Sequence, residues 1–343
     1  MKNIQLINLI IFFLLVISNS CKKNNSSSPV TTTSEMYITG NIPSPGWENA
    51  VLWNNGTTTY LADTSLGPSG ARTVFLSGND VYIGGYTFNN IDTAYIPTYW
   101  KNGIAKQLSS PLKFAYISSM YVDGTDVYTA GGAWDYNGHQ YAIFWKNDSF
   151  TILDSVSSSI NNGGPFATSI FISGNDIYVA GQNHIGGCYW KNGIVTNLNT
   201  PTCRSVYVSG SDFYVTDDQS QGGTIPAYLK NGTLFPLSTL PTNLGAYSGF
   251  ITMSGTDLYI LGAEYLAANN NSVVMYWKNG TPTIVGDTSK YSSAGNLIVN
   301  GTDIYIAGAL ETTSQNMKAT YWKNGKAIQL SESSSYAYAI AVK

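Results

Sequence analysis

The stretch Tyr99-Trp100-Lys101-Asn102-Gly103 decides how this chain is read. It returns intact at residues 189–193, 276–280 and 321–325. Degraded copies stand at Trp53-Asn54-Asn55-Gly56, Trp145-Lys146-Asn147-Asp148 and Leu229-Lys230-Asn231-Gly232. The Trp or Leu of the seven copies falls at positions 53, 100, 145, 190, 229, 277 and 322. That is a period of roughly 45 residues, the mark of a repeat architecture.

Working outward from the second copy gives the unit. Val74-Phe75-Leu76 is a short β-rich run that stops at Ser77-Gly78-Asn79-Asp80, and Val81-Tyr82-Ile83-Gly84-Gly85 is a second run. After a variable stretch over 86–94, residues 95–100 read as a third strand, Lys101-Asn102-Gly103 as a turn and 104–108 as a fourth strand. Asn-Gly is the strongest short hairpin signal, because a type I′ turn needs positive φ at both central residues. The first hairpin carries Gly-x-Asp in six units, ending at Asp80, Asp126, Asp176, Asp212, Asp257 and Asp303. Four short strands per unit and seven units predict an all-β, seven-bladed β-propeller of four-stranded antiparallel blades.

The repeated residues take structural roles in such a ring. A tyrosine stands in each second strand (Tyr37, Tyr82, Tyr128, Tyr178, Tyr214, Tyr259 and Tyr305) and reads as packing between blades. The repeated Trp reads as a wide filler near the outer part of each blade. The six turn aspartates, one per blade, lie too far apart for a metal cage or an acid–base pair. First strands preceding a Gly-x-Asp turn number only six, and the pattern of the seventh reappears at 338–342. The C-terminal strand is therefore expected to pair with the N-terminal strand at 35–40, a ring closure that resembles WD40-like propellers and removes exposed edges.

Ahead of the repeat, Met1-Lys2-Asn3 gives a basic start, residues 6–17 are almost wholly apolar, and Ser18-Asn19-Ser20-Cys21 follows. The apolar run is too short to span a bilayer comfortably and reads as an export signal over 1–20. A cysteine directly after it resembles a bacterial lipobox, although Ser18 stands where the commonest pattern has leucine. The Lys/Asn/Ser/Thr-rich residues 22–33 read as a flexible tether. Lipidated cysteine plus such a tether is similar to the lipoproteins of Bacteroidota. The resemblance implies a lipid on Cys21, a membrane partner, and a place in the cell envelope, at the outer membrane. The folded body is then expected over 34–343.

Composition narrows function less than fold. Charged residues make up 11% and aromatics 13%, with a net charge of −3. No basic cluster follows Lys22-Lys23, which argues against nucleic acid. The two cysteines of the body, Cys188 and Cys203, read either as a disulfide permitted by an exported compartment or as two separate buried thiols. No nucleophile elbow, zinc helix or cysteine metal spacing occurs, so neither a cofactor nor a metal is called for.

Variation concentrates between the copies, in the second-to-third and inter-blade connections, and loops on a rigid scaffold are the usual place for recognition. They contain Trp47, Tyr86, Phe88, Trp134, Asp135, Tyr136, His139, His184, Asp217, Asp218 and Tyr265, with Trp134-Asp135-Tyr136 the strongest cluster. Aromatic planes mixed with polar edges suit a sugar ring or a protein partner equally. Two readings follow. One is a membrane-anchored, non-catalytic module that binds a protein or glycan. The other is a carbohydrate-active hydrolase or lyase using loop carboxylates such as Asp135 and Asp217.

Overall fold

A computed structural model describes residues 34–157, 164–198, 200–220, 224–240, 243–269, 271–312 and 316–343, with the side chains of 217–220, 224 and 243 left out. The export signal, Cys21 and the tether lie outside the described residues. Residues 34–343 form one compact unit of seven four-stranded antiparallel sheets. In blade two the strands are Gly70–Ser77, Asp80–Asn89, Ala94–Lys101 and Ile104–Gln107, in that order from the axis outward. Blades three to seven repeat this order. Blade one is assembled from both ends of the chain: Tyr336–Val342 is its inner strand, followed by Met36–Ser44, Trp47–Asn54 and Thr57–Tyr60. The antiparallel register pairs Met36 with Val342 and Ile38 with Ile340, so the ring closes as the repeat count requires. Each inner strand packs on the inner strands of its two neighbours.

The repeated phrase explains the hairpin face. Asn102 and Gly103 both take positive φ (50° and 82°), the type I′ requirement, while in the first hairpin Gly78 does so at 58°. The two turns then lock together. Asp80 accepts from Lys101 Nζ at 2.7 Å and from Asn102 Nδ2 at 2.8 Å, and Asn102 Oδ1 accepts the Val81 N–H at 2.8 Å. Lys101 Nζ also sits 5.2 Å above the Tyr82 ring. The same Asp–Lys–Asn–Tyr lock recurs at Asp126, Asp176, Asp212, Asp257 and Asp303. In blade one Glu35 takes the aspartate's place and accepts from the Tyr37 hydroxyl at 2.8 Å.

The tryptophans of six copies are at most 1% exposed. Trp100 clusters with Ala50 and Ala339 of blade one, and Trp53 with Tyr305 and Ala319 of blade seven. They are thus inter-blade fillers in mid-core rather than near the outer rim. Burying such a side chain contributes on the order of 3 kcal/mol, which makes these indoles a main source of cohesion between blades.

A second repeated device shapes the axis. Three residues after the second-strand tyrosine stands a glycine in six blades: Gly40, Gly85, Gly131, Gly181, Gly262 and Gly308. A Cβ on Gly85 would lie 1.8 Å from the Gly70 carbonyl oxygen, and the other five meet a carbonyl at about the same distance. The missing side chain lets the inner strand come close and slip register, so a β-bulge forms between Ala71 and Thr73. The bulged residue is left unpaired, and it lines the central channel.

Candidate functional site

On the face opposite the locked hairpins the channel opens into a cavity of about 1140 Å³. The bulges supply its inner ring. Tyr338, Arg72, Ser118, Thr168, Arg204, Gly249 and Gly295 occupy the same offset in the seven inner strands, and all seven line the cavity. A bulge re-aims one residue per blade, so residues unrelated to the repeat are brought together around one axis. Arg72 and Arg204 are the two arginines of the chain. They stand in blades two and five, as far apart as a seven-membered ring allows.

Aromatic rings form the mouth. Trp134 stacks on Tyr116 with centroids 5.5 Å apart and planes 23° apart, and Tyr86 packs on Tyr95 at 4.9 Å. Arg72 lies 4.9 Å above the Tyr338 ring, and Arg204 lies 5.5 Å above that of Tyr247. Burial raises the ionisation of Tyr86, Tyr116 and Tyr338, the last to about 12, while the field of Arg72 works against it in all three. All three are therefore neutral hydroxyls near neutral pH. Among the described side chains no carboxylate lines the cavity.

Of the residues expected from the sequence, Tyr86, Trp134 and Tyr265 meet at this cavity. Tyr86 and Phe88 are not loop residues: the second strand of blade two runs to Asn89 and the third begins at Ala94. Cross-strand contacts carry the longer ladder, with Thr87 and Thr98 hydroxyls 2.9 Å apart and the Phe88 and Tyr95 rings at 5.7 Å. Tyr265 likewise lies on a strand, Asp257–Leu266.

Trp47, Phe88, Asp135, Tyr136, His139 and His184 stand outside the lining. Asp135 is engaged within its own loop, accepting from the N–H groups of Asn137 and His139, from the Tyr141 hydroxyl, and contacting His139 Nδ1 at 2.8 Å. Burial pushes its carboxyl upward, but these donors prevail and hold it below the usual aspartate range. The group is a loop organiser. Tyr136 is held by Phe114 and by Lys113, whose Nζ lies 5.0 Å over its ring. His184 is tied to Asp154 at 2.9 Å.

Asp217 and Asp218 sit on the second strand of blade five, opposite Ala227 and Pro226, and their side chains are not described. Asp217 occupies the repeat's glycine position. Cys188 and Cys203 are buried in separate clusters, in blades four and five, and form no disulfide; burial pushes the Cys188 thiol up to about 12. The described residues contain no group of three His, Cys, Asp or Glu placed to hold a metal ion. Nor do they contain a helix long and apolar enough to cross a membrane.

Arg72 and Arg204 were missed by sequence reasoning, although a signal existed. Each stands three residues before the aromatic that pairs with its blade's second-strand tyrosine, Phe75 or Tyr207.

No protein-family model matches this sequence, and no curated protein does. Solved structures share the fold. A Bacteroides fragilis protein named as a candidate 6-phosphogluconolactonase is 13% identical over 92% of this chain and 99% of its own, with a TM-score of 0.50. A puromycin-hydrolysing peptidase of Mycobacterium tuberculosis is 12% identical over 86% of this chain, with a TM-score of 0.54. An acylaminoacyl peptidase is 11% identical over 87%, at 0.51. This chain spans about half the length of either peptidase, 53% and 50%. At these identities the likeness is one of fold, and propellers host unrelated chemistries.

Proposed function

We propose that this protein is a non-catalytic binding module, tethered to a cell-envelope membrane through a lipid on Cys21, that takes a glycan into the mouth of its channel. The observation that supports the glycan is the cavity wall. Flat rings (Trp134 on Tyr116, Tyr86 on Tyr95) line the same cavity as the hydroxyls of Ser118, Ser119 and Ser169, of which Ser119 and Ser169 each accept one backbone N–H and keep a proton to donate. A sugar offers apolar faces to the first and hydroxyl edges to the second. The wall is built on strands, so it is pre-organised and costs little ordering on binding.

Glycoside hydrolysis needs two carboxylates flanking the bond. None lines the described cavity, and Asp135 is committed to its loop. A binding role therefore stands ahead of hydrolase or lyase action. An oligosaccharide array should find a ligand that is recovered unaltered, with affinity lowered roughly tenfold or more in Trp134→Ala. Turnover that disappears in Asp135→Asn or Asp217→Asn would overturn this in favour of the enzyme. Capture of a protein with no glycan bound would reassign the ligand. For the anchor, metabolic labelling with a palmitate analogue should mark the native chain and not Cys21→Ala. Label that persists in that variant would contradict it.

A further inference from the structure

We infer, resting on the glycan reading above, that the ligand carries a carboxylate, as in a uronic-acid sugar, and that Arg72 is the residue that receives it. Arg72 is the bulged residue of blade two, so its side chain leaves the sheet's ladder and enters the channel wall. Its guanidinium rests on Tyr338 and serves the Tyr86 hydroxyl, and its Nε is buried with no hydrogen-bond partner among the described residues. A buried donor left unpaired is costly, and a charged one more so. The Nε itself is closed to the channel, so an arriving carboxylate would pair with the terminal N–H groups of the same guanidinium and offset the cost of the buried cation. The guanidinium's planar fork suits a two-oxygen acceptor, whereas a neutral hydroxymethyl offers it one weak acceptor.

The neighbours fit the same ligand. Tyr86 and Tyr338 are neutral hydroxyls beside the cation, and the Trp134–Tyr116 stack supplies the plane for a ring. The acid whose field reaches this corner is Glu48, and it is already engaged by the Asn41 amide. The Asn41 carbonyl in turn accepts the Ala71 N–H at 3.1 Å, so the residue before Arg72 is fixed. Arg72 is therefore held in position without its charge being consumed by a lining carboxylate.

Calorimetry with three probes tests the inference: a galacturonic-acid trimer, its methyl ester and a galactose trimer. The free acid should bind at least ~10-fold more tightly than the ester, as expected for one charge-assisted hydrogen-bonded pair. That preference should weaken steeply with salt, disappear in Arg72→Gln, and survive in part in Arg72→Lys, which keeps the charge and loses the fork. Unchanged melting temperatures would show that both variants fold. Equal binding of acid and ester would overturn the anionic inference while leaving glycan binding intact. Binding of none of the three, with an oligoglutamate peptide bound instead and lost in Arg72→Gln, would overturn the glycan reading while keeping the carboxylate; oligoglutamate binding that survives in Arg72→Gln would overturn both.

Discussion

The two faces of this ring obey opposite rules. On the hairpin face one arrangement of Asp, Lys, Asn and Tyr is copied six times with nearly the same distances. On the channel face a repeated bulge, opposite a glycine in six blades and opposite Asp217 in blade five, presents five residue types across seven blades: Tyr, Arg, Ser, Thr, Arg, Gly and Gly. Uniform contacts tie the two hairpins of each blade together. Varied contacts read something that is not itself sevenfold. Sequence repetition thus marks the scaffold, and departure from it at one offset marks the site.

The comparison breaks most severely if the ring opens. Deleting residues 338–343 removes most of the inner strand of blade one and exposes the edge of Met36–Ser44. Cooperative unfolding should be lost or the protein should associate, as read by calorimetry and light scattering. An unchanged melting temperature with monomer mass would contradict the closure.

Next comes a glycine pair that separates the two faces. Gly85→Ala puts a methyl 1.8 Å from a backbone oxygen and should cost several kcal/mol, on the order of 3 or more. Gly103→Ala meets nothing within 4 Å. It pays only for its positive φ, about 1–2 kcal/mol. Equal losses in urea unfolding would mean that the bulge does not depend on close approach.

A smaller effect is set by Glu264, 1% exposed, whose carboxylate accepts only the Leu240 N–H among the bonds described. Burial raises its ionisation above the ordinary 4.5, against the pull of that N–H. The native state therefore favours the proton. This group's contribution is most favourable below pH 4.5 and declines as pH rises through the folded value. Glu264→Gln should raise Tm at neutral pH and match the parent at pH 4 or below. A variant that is less stable at pH 7 would show that the carboxylate is satisfied.

Smallest is Lys101→Met. The Lys101–Asp80 pair is open to solvent, and exposed ion pairs contribute little. Hydrogen bonds from Lys101 and then Asn102 lower the Asp80 carboxyl below 3.8, so its share is present above that pH and lost as pH falls through the folded value. The variant should differ slightly from the parent at pH 7, with the difference gone in strong acid. A large drop in Tm would mean that the lock does more than hold turn geometry.

Much of the scaffold was legible because its causes are local. Asn102-Gly103 dictates its turn whatever surrounds it, Trp100 recurs two residues before that turn, and Tyr82 recurs two residues after the first-hairpin aspartate. The site was less legible because its causes cross strands. Phe88 looks like loop sequence until Tyr95 is known to face it, and Asp135 looks like a free acid until His139 and Tyr141 close on it. Arg72 becomes a channel residue through a bulge at which Gly85 lies close to the Gly70 carbonyl, a contact between two strands. Its signal lies at one offset shared by all seven repeats and not within any one loop.

Hydrogen–deuterium exchange with and without the galacturonic-acid trimer tests the division of labour most directly. Exchange should slow in segments 70–73, 116–119 and 168–169 and stay unchanged in the hairpin turns at 77–81 and 101–104. Protection confined to those turns, with none at the channel, would contradict the account.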